Sequence, residues 1–246
     1  MSVTTDASSP ASVTATGRPA SIVTASFTPP ANTMLCALCA VGWNASALAA
    51  VTVSDSGSHA WTKKSEIGTN SVNGGLASIW TIPVMSTSPG AITVTMAITG
   101  WASSGGGVSL DLLVLNGAAT SQAGAATGSG QDTVGSTNAA VSVTTTAVGS
   151  RVYGVTDISG GAATWTAASG TGQDRQFNDT TDGATIADWI SIPSTGTVTP
   201  GAASYGGTLS VVDSWNTAAL EILAAPVSIP NRQLIIAQAI NRSNFF

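Results

Sequence analysis

Short runs in which apolar and polar residues alternate cover much of this chain between positions 21 and 223. Alternation with a period of two is typical of a half-buried strand. A continuous apolar run, such as residues 33–41, indicates instead a central strand that is buried on both faces. The clearest alternation is at residues 91–99, whose apolar face consists of Ile92, Val94, Met96 and Ile98.

About twelve strands are predicted in this way, with turn residues between them and no sustained helical period. The turn at residues 55–58 is predicted to close a hairpin, because Asp and Gly favour tight turns. The pattern predicts an all-β fold, either a β-sandwich or a jelly-roll-like arrangement, with extended N- and C-terminal segments.

Two stretches of the chain resemble one another. The run S-I-W-T-I-P-V at residues 78–84 returns as A-D-W-I-S-I-P at residues 187–193, and each is followed by a strand that ends in Trp. A Trp-Thr pair precedes both copies, Trp61-Thr62 and Trp165-Thr166. The fold is therefore predicted to consist of two loosely similar halves, residues 34–117 and 149–224.

Composition divides the chain into three parts. Residues 1–19 are rich in Ser, Thr and Ala without periodicity, which predicts a flexible N-terminal arm, with an extended segment that lies on a neighbour as the alternative. Residues 20–225 are predicted to form one β-sandwich domain. Within it, the low-complexity residues 117–138 are interpreted as a long surface loop, with a domain linker as the alternative.

Residues 226–246 are predicted to form a C-terminal assembly tail. An apolar segment that stayed free in water would be a liability, so we expect it to dock on another subunit or to fold back on its own domain. The residues assigned to this assembly interface are Leu234, Ile235, Ile236, Ile240, Phe245 and Phe246.

Charge is scarce in this sequence. Charged residues make up 8% of the chain and the formal net charge is −5, against about 25% charged residues in an average domain. Because phosphate binding needs clustered cations, nucleic acid is not an expected partner, and neither is an anionic membrane. There is no secretory signal pattern and no run long enough to suggest membrane insertion.

No catalytic, metal or cofactor site is predicted, and we expect no enzyme. The single histidine, His59, is interpreted as a solvated turn residue, since no G-x-S-x-G elbow accompanies it. The acidic loop at residues 174–182 is interpreted as a polar loop rather than a calcium site. Asp111 and Glu221 interrupt apolar strands, and we expect each to face solvent or a sheet edge because buried unpaired carboxylates are costly.

The two cysteines, Cys36 and Cys39, lie in one apolar run. Positions three apart on a strand point to opposite faces. We therefore predict two separate buried thiols, without a disulfide or a shared metal.

Seven tryptophans outnumber the other aromatic residues. Trp43 and Trp101 adjoin predicted loops and are candidates for stacking on a host-surface glycan, with core packing as the alternative. Packing is the interpretation for the other five, which lie in the repeated stretches: Trp61, Trp80, Trp165, Trp189 and Trp215.

Four stretches together resemble a β-sandwich module of tailed-bacteriophage structural proteins, the minor tail proteins. They are S-F-T-P-P-A-N-T-M-L-C-A, V-T-V-S-D-S-G-S-H-A-W-T, I-W-T-I-P-V and A-A-L-E-I-L-A-A-P. The resemblance implies a non-enzymatic virion protein, other virion proteins as partners, a homo-oligomer, and contact with the host envelope. A virion component made in the host cytoplasm also fits a polar, charge-poor sequence without an export signal. Capsid decoration and host-glycan binding are the alternatives to a tail or tail-tip role.

Overall fold

The computed structural model describes residues 2–17, 19–42, 50–68, 75–100, 107–158, 165–167, 187–191 and 200–226. Within these ranges the regular elements are fourteen β-strands, which confirms the all-β prediction. The described ranges contain no helix that is long and apolar enough to cross a membrane. The strands are β1 (Thr4–Thr5), β2 (Val13–Thr16), β3 (Ser21–Val23), β4 (Thr33–Val41), β5 (Ala50–Asp55), β6 (Thr62–Gly68), β7 (Leu76–Met85), β8 (Val94–Thr99), β9 (Gly107–Asn116), β10 (Thr127–Thr144), β11 (Arg151–Ile158), β12 (Trp165–Ala167), β13 (Ala187–Ser191) and β14 (Ala202–Ile222).

Strands β1 to β9 form a first β-sandwich, which we call unit 1. One sheet has the order β1-β9-β4-β7-β6, with β2 also paired to β9, and the other has the order β3-β8-β5. Their facing sides enclose a core to which β4 contributes Leu35 and Cys39 and β9 contributes Leu110. The alternation predicted at residues 91–99 is confirmed, because its whole apolar face is buried in this core: Ile92, which lies just before β8, and Val94, Met96 and Ile98 of β8.

Strands β10 to β14 form unit 2, in which one long ribbon folds back on itself. β10 pairs with β14 along its length, with register shifts between Asp132 and Asn138. At these shifts the ribbon bends, so that a Cβ placed on Gly128 would lie 2.8 Å from the carbonyl oxygen of Ser142. The two layers of the bent ribbon enclose a second core, which includes Val141, Val143, Tyr205, Leu209 and Trp215.

The two units share one pattern of strand pairing. In unit 1, β4 lies between β7 and β9, and in unit 2, β11 lies between β13 and β14. The antiparallel pair of β3 and β8 in unit 1 corresponds to the antiparallel pair that the last part of β10 forms with the first part of β14 in unit 2. Each unit also contains strands that precede residues 34–117 and 149–224, the two halves predicted from sequence.

An apolar interface joins the units. The outer face of the six-stranded sheet presents Met34, Cys36 and Leu38, which pack with Tyr153 and Leu220 of unit 2. Strand β4 is therefore buried on both faces, as its continuous apolar sequence predicts. Cys36 lies in this interface and Cys39 in the core of unit 1, and both are free and buried as predicted.

The N-terminal segment corrects the expectation of a flexible arm at residues 1–19. β1 and β2 both pair with β9, and Val3 is fully buried in the interface between the units. Two side-chain hydrogen bonds also hold the segment to β9. Ser12 Oγ donates to Asp111 Oδ1 at 2.7 Å, and Asn116 Nδ2 donates to Asp6 Oδ2 at 2.6 Å. The segment is ordered because it supplies β9 with its second neighbour in the sheet.

The low-complexity stretch is a second correction. Residues 117–138 are predicted to be a loop, yet β10 begins at Thr127. Glycine is needed here because the two layers of the ribbon approach too closely for side chains. A Cβ on Gly130 would lie 2.7 Å from Val141 Cγ1.

The turn at residues 55–58 is a third correction, because it does not close a hairpin. β5 pairs with β8 in the three-stranded sheet, whereas β6 pairs with β7 in the six-stranded sheet. The turn therefore carries the chain across the sandwich. Asp and Gly make the same tight turn in either arrangement, so the local sequence does not distinguish them.

Candidate functional site

The residues predicted from sequence to bind partners all lie outside the described residues. They are the glycan candidates Trp43 and Trp101 and the six assembly residues Leu234, Ile235, Ile236, Ile240, Phe245 and Phe246. Residues 174–182, interpreted from sequence as a polar loop, also lie outside the described residues. The structure describes the residues that flank the partner-binding candidates in the chain, and these flanking residues lie at two opposite ends of the long strands.

The first end is where β4 finishes and β9 begins. The backbone N–H of Gly42 donates to the carbonyl oxygen of Gly107 at 2.8 Å. Gly42 directly precedes Trp43, and Gly107 directly follows residues 101–106. The two Trp-bearing segments are therefore both anchored at this pair of glycines.

A buried carboxyl group, Asp157, lies at the same end between the units. Its side chain accepts a hydrogen bond from Asn216 Nδ2 at 3.3 Å, and its Oδ1 has no hydrogen-bond partner among the described residues. It lies so close to Gly75 that no side chain fits at position 75. Burial raises the pKa of Asp157 well above its usual range, and the charge of Asp213 acts in the same direction.

The second end carries a groove at the seam between the units. One part, of about 300 Å³, lies among Met34, Thr62, Thr81 and Pro83 of unit 1 and Ala123 of unit 2. An adjoining part, of about 190 Å³, is lined by Ala125, Leu220 and Ile222. Met34, Lys64 and Gln122 line both parts, so the two form one groove.

The groove lies beside the point where the chain leaves unit 2. Gln122 Oε1 accepts a hydrogen bond from the backbone N–H of Leu223 at 2.7 Å, and Gln122 Nε2 donates to the carbonyl oxygen of Leu223 at 3.2 Å. The same side chain thus lines the groove and holds the last residues before the predicted tail. Sequence gave no signal for this groove, because its walls come from five separate parts of the chain.

Glu221 corrects the expectation that it faces solvent or an edge, since its side chain is fully buried. It accepts hydrogen bonds from Ser150 Oγ at 2.6 Å, from the N–H of Thr146 at 2.8 Å and from the N–H of Ala126 at 3.0 Å. Burial by itself raises the pKa of Glu221, but these bonds outweigh it and hold the pKa below its usual value. The carboxylate stabilises the loop between β10 and β11.

Asp111 also departs from the expected solvent or edge position. It is fully buried in β9, where the hydroxyl of Ser12 donates to it at 2.7 Å. The hydrogen bond explains how a carboxyl group can occupy this central strand. Its partner comes from the N-terminal segment, about a hundred residues away in sequence, which is why the pairing is not visible in the local pattern.

His59 belongs to a hydrogen-bonded turn. Its Nδ1 lies 2.8 Å from Asp55 Oδ1, and Trp61 Nε1 donates to Asp55 Oδ2 at 2.7 Å. Burial raises the pKa of Asp55, but the bonds from His59, Trp61 and Gly57 overcome this and lower it overall. These hydrogen bonds to Asp55 therefore stabilise the turn in which the chain passes from the three-stranded sheet to the six-stranded sheet.

The other described tryptophans pack as predicted. Trp61 and Trp80 are partly buried against the core of unit 1, and Trp215 is buried in the core of unit 2. Lys63 Nζ lies 5.6 Å from the ring centre of Trp80, within the range of a cation–π contact. The side chains of Trp165 and Trp189 lie outside the described part.

The described residues contain no group of three or more side chains that could hold a metal ion. Comparison of the chain with protein-family models, with curated proteins and with solved structures gives no match.

Proposed function

We propose that this chain is a non-enzymatic structural protein of a bacteriophage virion, a minor tail or tail-tip component that forms a homo-oligomer. The observation that carries the proposal is the tandem arrangement of two β-sandwich units with one pairing order, joined through an apolar interface. Such an arrangement gives a rigid block with connecting segments at both ends. The buried carboxylates Glu221 and Asp55 stabilise turns and loops of this block.

The sequence of the C-terminal tail supports assembly as the purpose of the block. Residues 234–240, L-I-I-A-Q-A-I, form an apolar run without charge that follows the last strand of unit 2 in sequence. An apolar run of this kind is stabilised by burial against a protein surface. Other virion proteins or further copies of the chain would supply that surface.

Light scattering on the full chain and on a chain ending at Ala225 tests the proposal. We expect a defined oligomer for the full chain and a folded monomer for the shortened one. A full chain that stays monomeric at high concentration would contradict self-assembly. Antibody labelling of virus particles would then separate a tail position from capsid decoration, the alternative that places the same block on the shell.

Host-glycan binding is the second candidate, and the hydrogen bond between Gly42 and Gly107 favours it. Two Trp-bearing segments anchored side by side could present two rings to one saccharide, whose apolar faces stack on aromatic side chains. We expect host wall polysaccharide to shift the tryptophan fluorescence, and Trp43→Ala and Trp101→Ala each to reduce the shift. Thr52→Ala, on the exposed face of β5, is the control. An unchanged shift in both Trp variants would contradict glycan binding at this end.

A further inference from the structure

The groove at the seam lies between the outer face of unit 1 and the start of unit 2, and its lining is mixed. Its apolar members include Met34, Pro83 and Leu220, of which Met34 and Leu220 expose 1% and 3% of their surface. Its polar members include Lys64, which is exposed, and Gln122, which is half-buried. A mixed lining suits a peptide segment, whose backbone needs hydrogen-bonding partners while its aliphatic side chains are buried.

Strand β6 forms the edge of the six-stranded sheet next to this groove. It pairs with β7 on one side and ends the order of that sheet. An edge strand presents backbone N–H and C=O groups to an incoming extended segment, a recurring mode of peptide recognition. The groove therefore lies beside a strand edge, along which Ser65 Oγ also donates to the carbonyl oxygen of Gly128 in unit 2 at 3.4 Å.

We infer that this groove binds residues 234–240 of a second copy of this chain. The inference rests on the proposed function and names the surface through which the oligomer forms. The sequence L-I-I-A-Q-A-I provides aliphatic side chains that can contact Met34, Pro83 and Leu220 of the lining, and it contains no charged residue that would have to be desolvated.

The direction of the chain at its exit favours a second copy over the same copy. Ile222 lines the groove, Leu223 is held by Gln122, Ala224 lies opposite Ala118, and the N–H of Ala225 donates to Gly117. The chain thus moves step by step away from the groove towards the end of β9. A tail that returned to its own groove would have to reverse this course, whereas a tail from a neighbour need not.

The length of the tail allows this exchange. Residues 227–233 separate the last described residue from the apolar segment and span roughly 23 Å when extended. A reciprocal exchange of tails between two copies closes a two-fold symmetric dimer, whereas a one-way exchange makes a head-to-tail contact. Such contacts close into rings when the rotation between copies permits and otherwise continue as filaments.

Cysteine pairs test the inference directly. The chain Ala123→Cys places a thiol at the exposed rim of the groove, and a separate chain Ile236→Cys places one in the tail. The two native cysteines are fully buried and should not interfere. When the two chains are mixed and oxidised, we expect disulfide-linked dimers. Replacing the first by Thr52→Cys, exposed on the opposite sheet, should lower their yield by about tenfold or more.

A second variant tests the same site without cysteines. Thr62→Glu combined with Ala123→Glu places two carboxylates at the groove, and we expect it to dissociate the full-length oligomer as shortening at Ala225 does. Thr52→Glu is the matched control and should leave the oligomer intact. Thermal unfolding of each variant verifies that the fold is retained.

The outcomes separate the two proposals. If shortening dissolves the oligomer but the groove variants neither dissociate it nor cross-link, assembly stands and the groove is the wrong surface. A further variant carries both Ala123→Cys and Ile236→Cys in one chain. If disulfides form only within single chains of this variant, the tail returns to its own groove and the inference of a second copy is overturned. If the full chain is a monomer and no cross-link forms, both proposals are wrong.

Discussion

Gly154 lies directly against the ring of Tyr205, so that a Cβ at position 154 would come within 2.5 Å of Tyr205 Cε1. The contact joins β11 to the first part of β14 across the core of unit 2, and Tyr205 is fully buried there. The ring therefore has little room to move aside. The folding of the ribbon onto itself depends on a glycine at this position.

We expect Gly154→Ala to lower the free energy of unfolding by about 1–3 kcal/mol, because overpacking in a filled core forces side chains or backbone to shift. Urea unfolding followed by tryptophan fluorescence measures the change. Gly201→Ala is the control, since a Cβ there meets nothing within 4 Å. Equal stability of the two variants would show that the ring is not confined.

Glu221→Gln tests the buried carboxylate that holds the loop between β10 and β11. The amide keeps the shape but turns an N–H group towards the donors of Thr146 or Ala126, so we expect a loss of about 1–3 kcal/mol at neutral pH. Glu66→Gln, which alters an exposed ion pair with Lys63, should change stability by much less.

At acid pH, the difference in stability between wild type and Glu221→Gln should disappear. The pKa of Glu221 is lowered in the folded state, so its stabilisation is present above the pKa of the unfolded chain and is lost as pH falls through the folded pKa. We expect the two urea midpoints to converge in acid. Midpoints that stay equally far apart at every pH would contradict a folded-state carboxylate.

Asp157 should show the opposite pH dependence. Its pKa is raised in the folded state, so the native protein retains a proton that the unfolded chain releases. Stability is then highest below the unfolded pKa and is lost as pH rises towards the folded pKa. We expect Asp157→Asn to unfold at a higher urea concentration than wild type, by a margin that grows as pH rises above the pKa of the unfolded chain towards the raised pKa of the folded state. A margin independent of pH would mean that Asp157 is ionised in the fold.

The local pattern predicted what depends on residues near one another in sequence. The alternation in β8 and the continuous apolar run of β4 fixed which faces are buried, and from this followed the separate burial of Cys36 and Cys39. The runs at residues 78–84 and 187–193 are similar in sequence, and the strands that contain them, β7 and β13, hold corresponding places in the strand orders of their sheets.

The remaining features depend on contacts between distant parts of the chain. Asp111 and Glu221 can be buried because Ser12 and Ser150, far away in sequence, donate hydrogen bonds to them. The glycine-rich start of β10 resembles a loop in composition because two layers of backbone meet there. The groove escaped prediction for the same reason, since no single stretch of sequence contains enough of its lining.

The position of the last strand in each unit has a consequence for synthesis on the ribosome. β9 and β14 are the final strands of their units and also central ones, with neighbours on both sides. Unit 1 can therefore close once Asn116 has emerged, while unit 2 must wait for Ile222. Until Ile222 has emerged, unit 2 does not cover the face of unit 1 that bears Met34 and Leu38. A nascent chain whose synthesis stops between Asn116 and Ile222 would therefore be prone to aggregate. A fragment ending at Ala119 should accordingly bind an apolar dye that the full chain excludes.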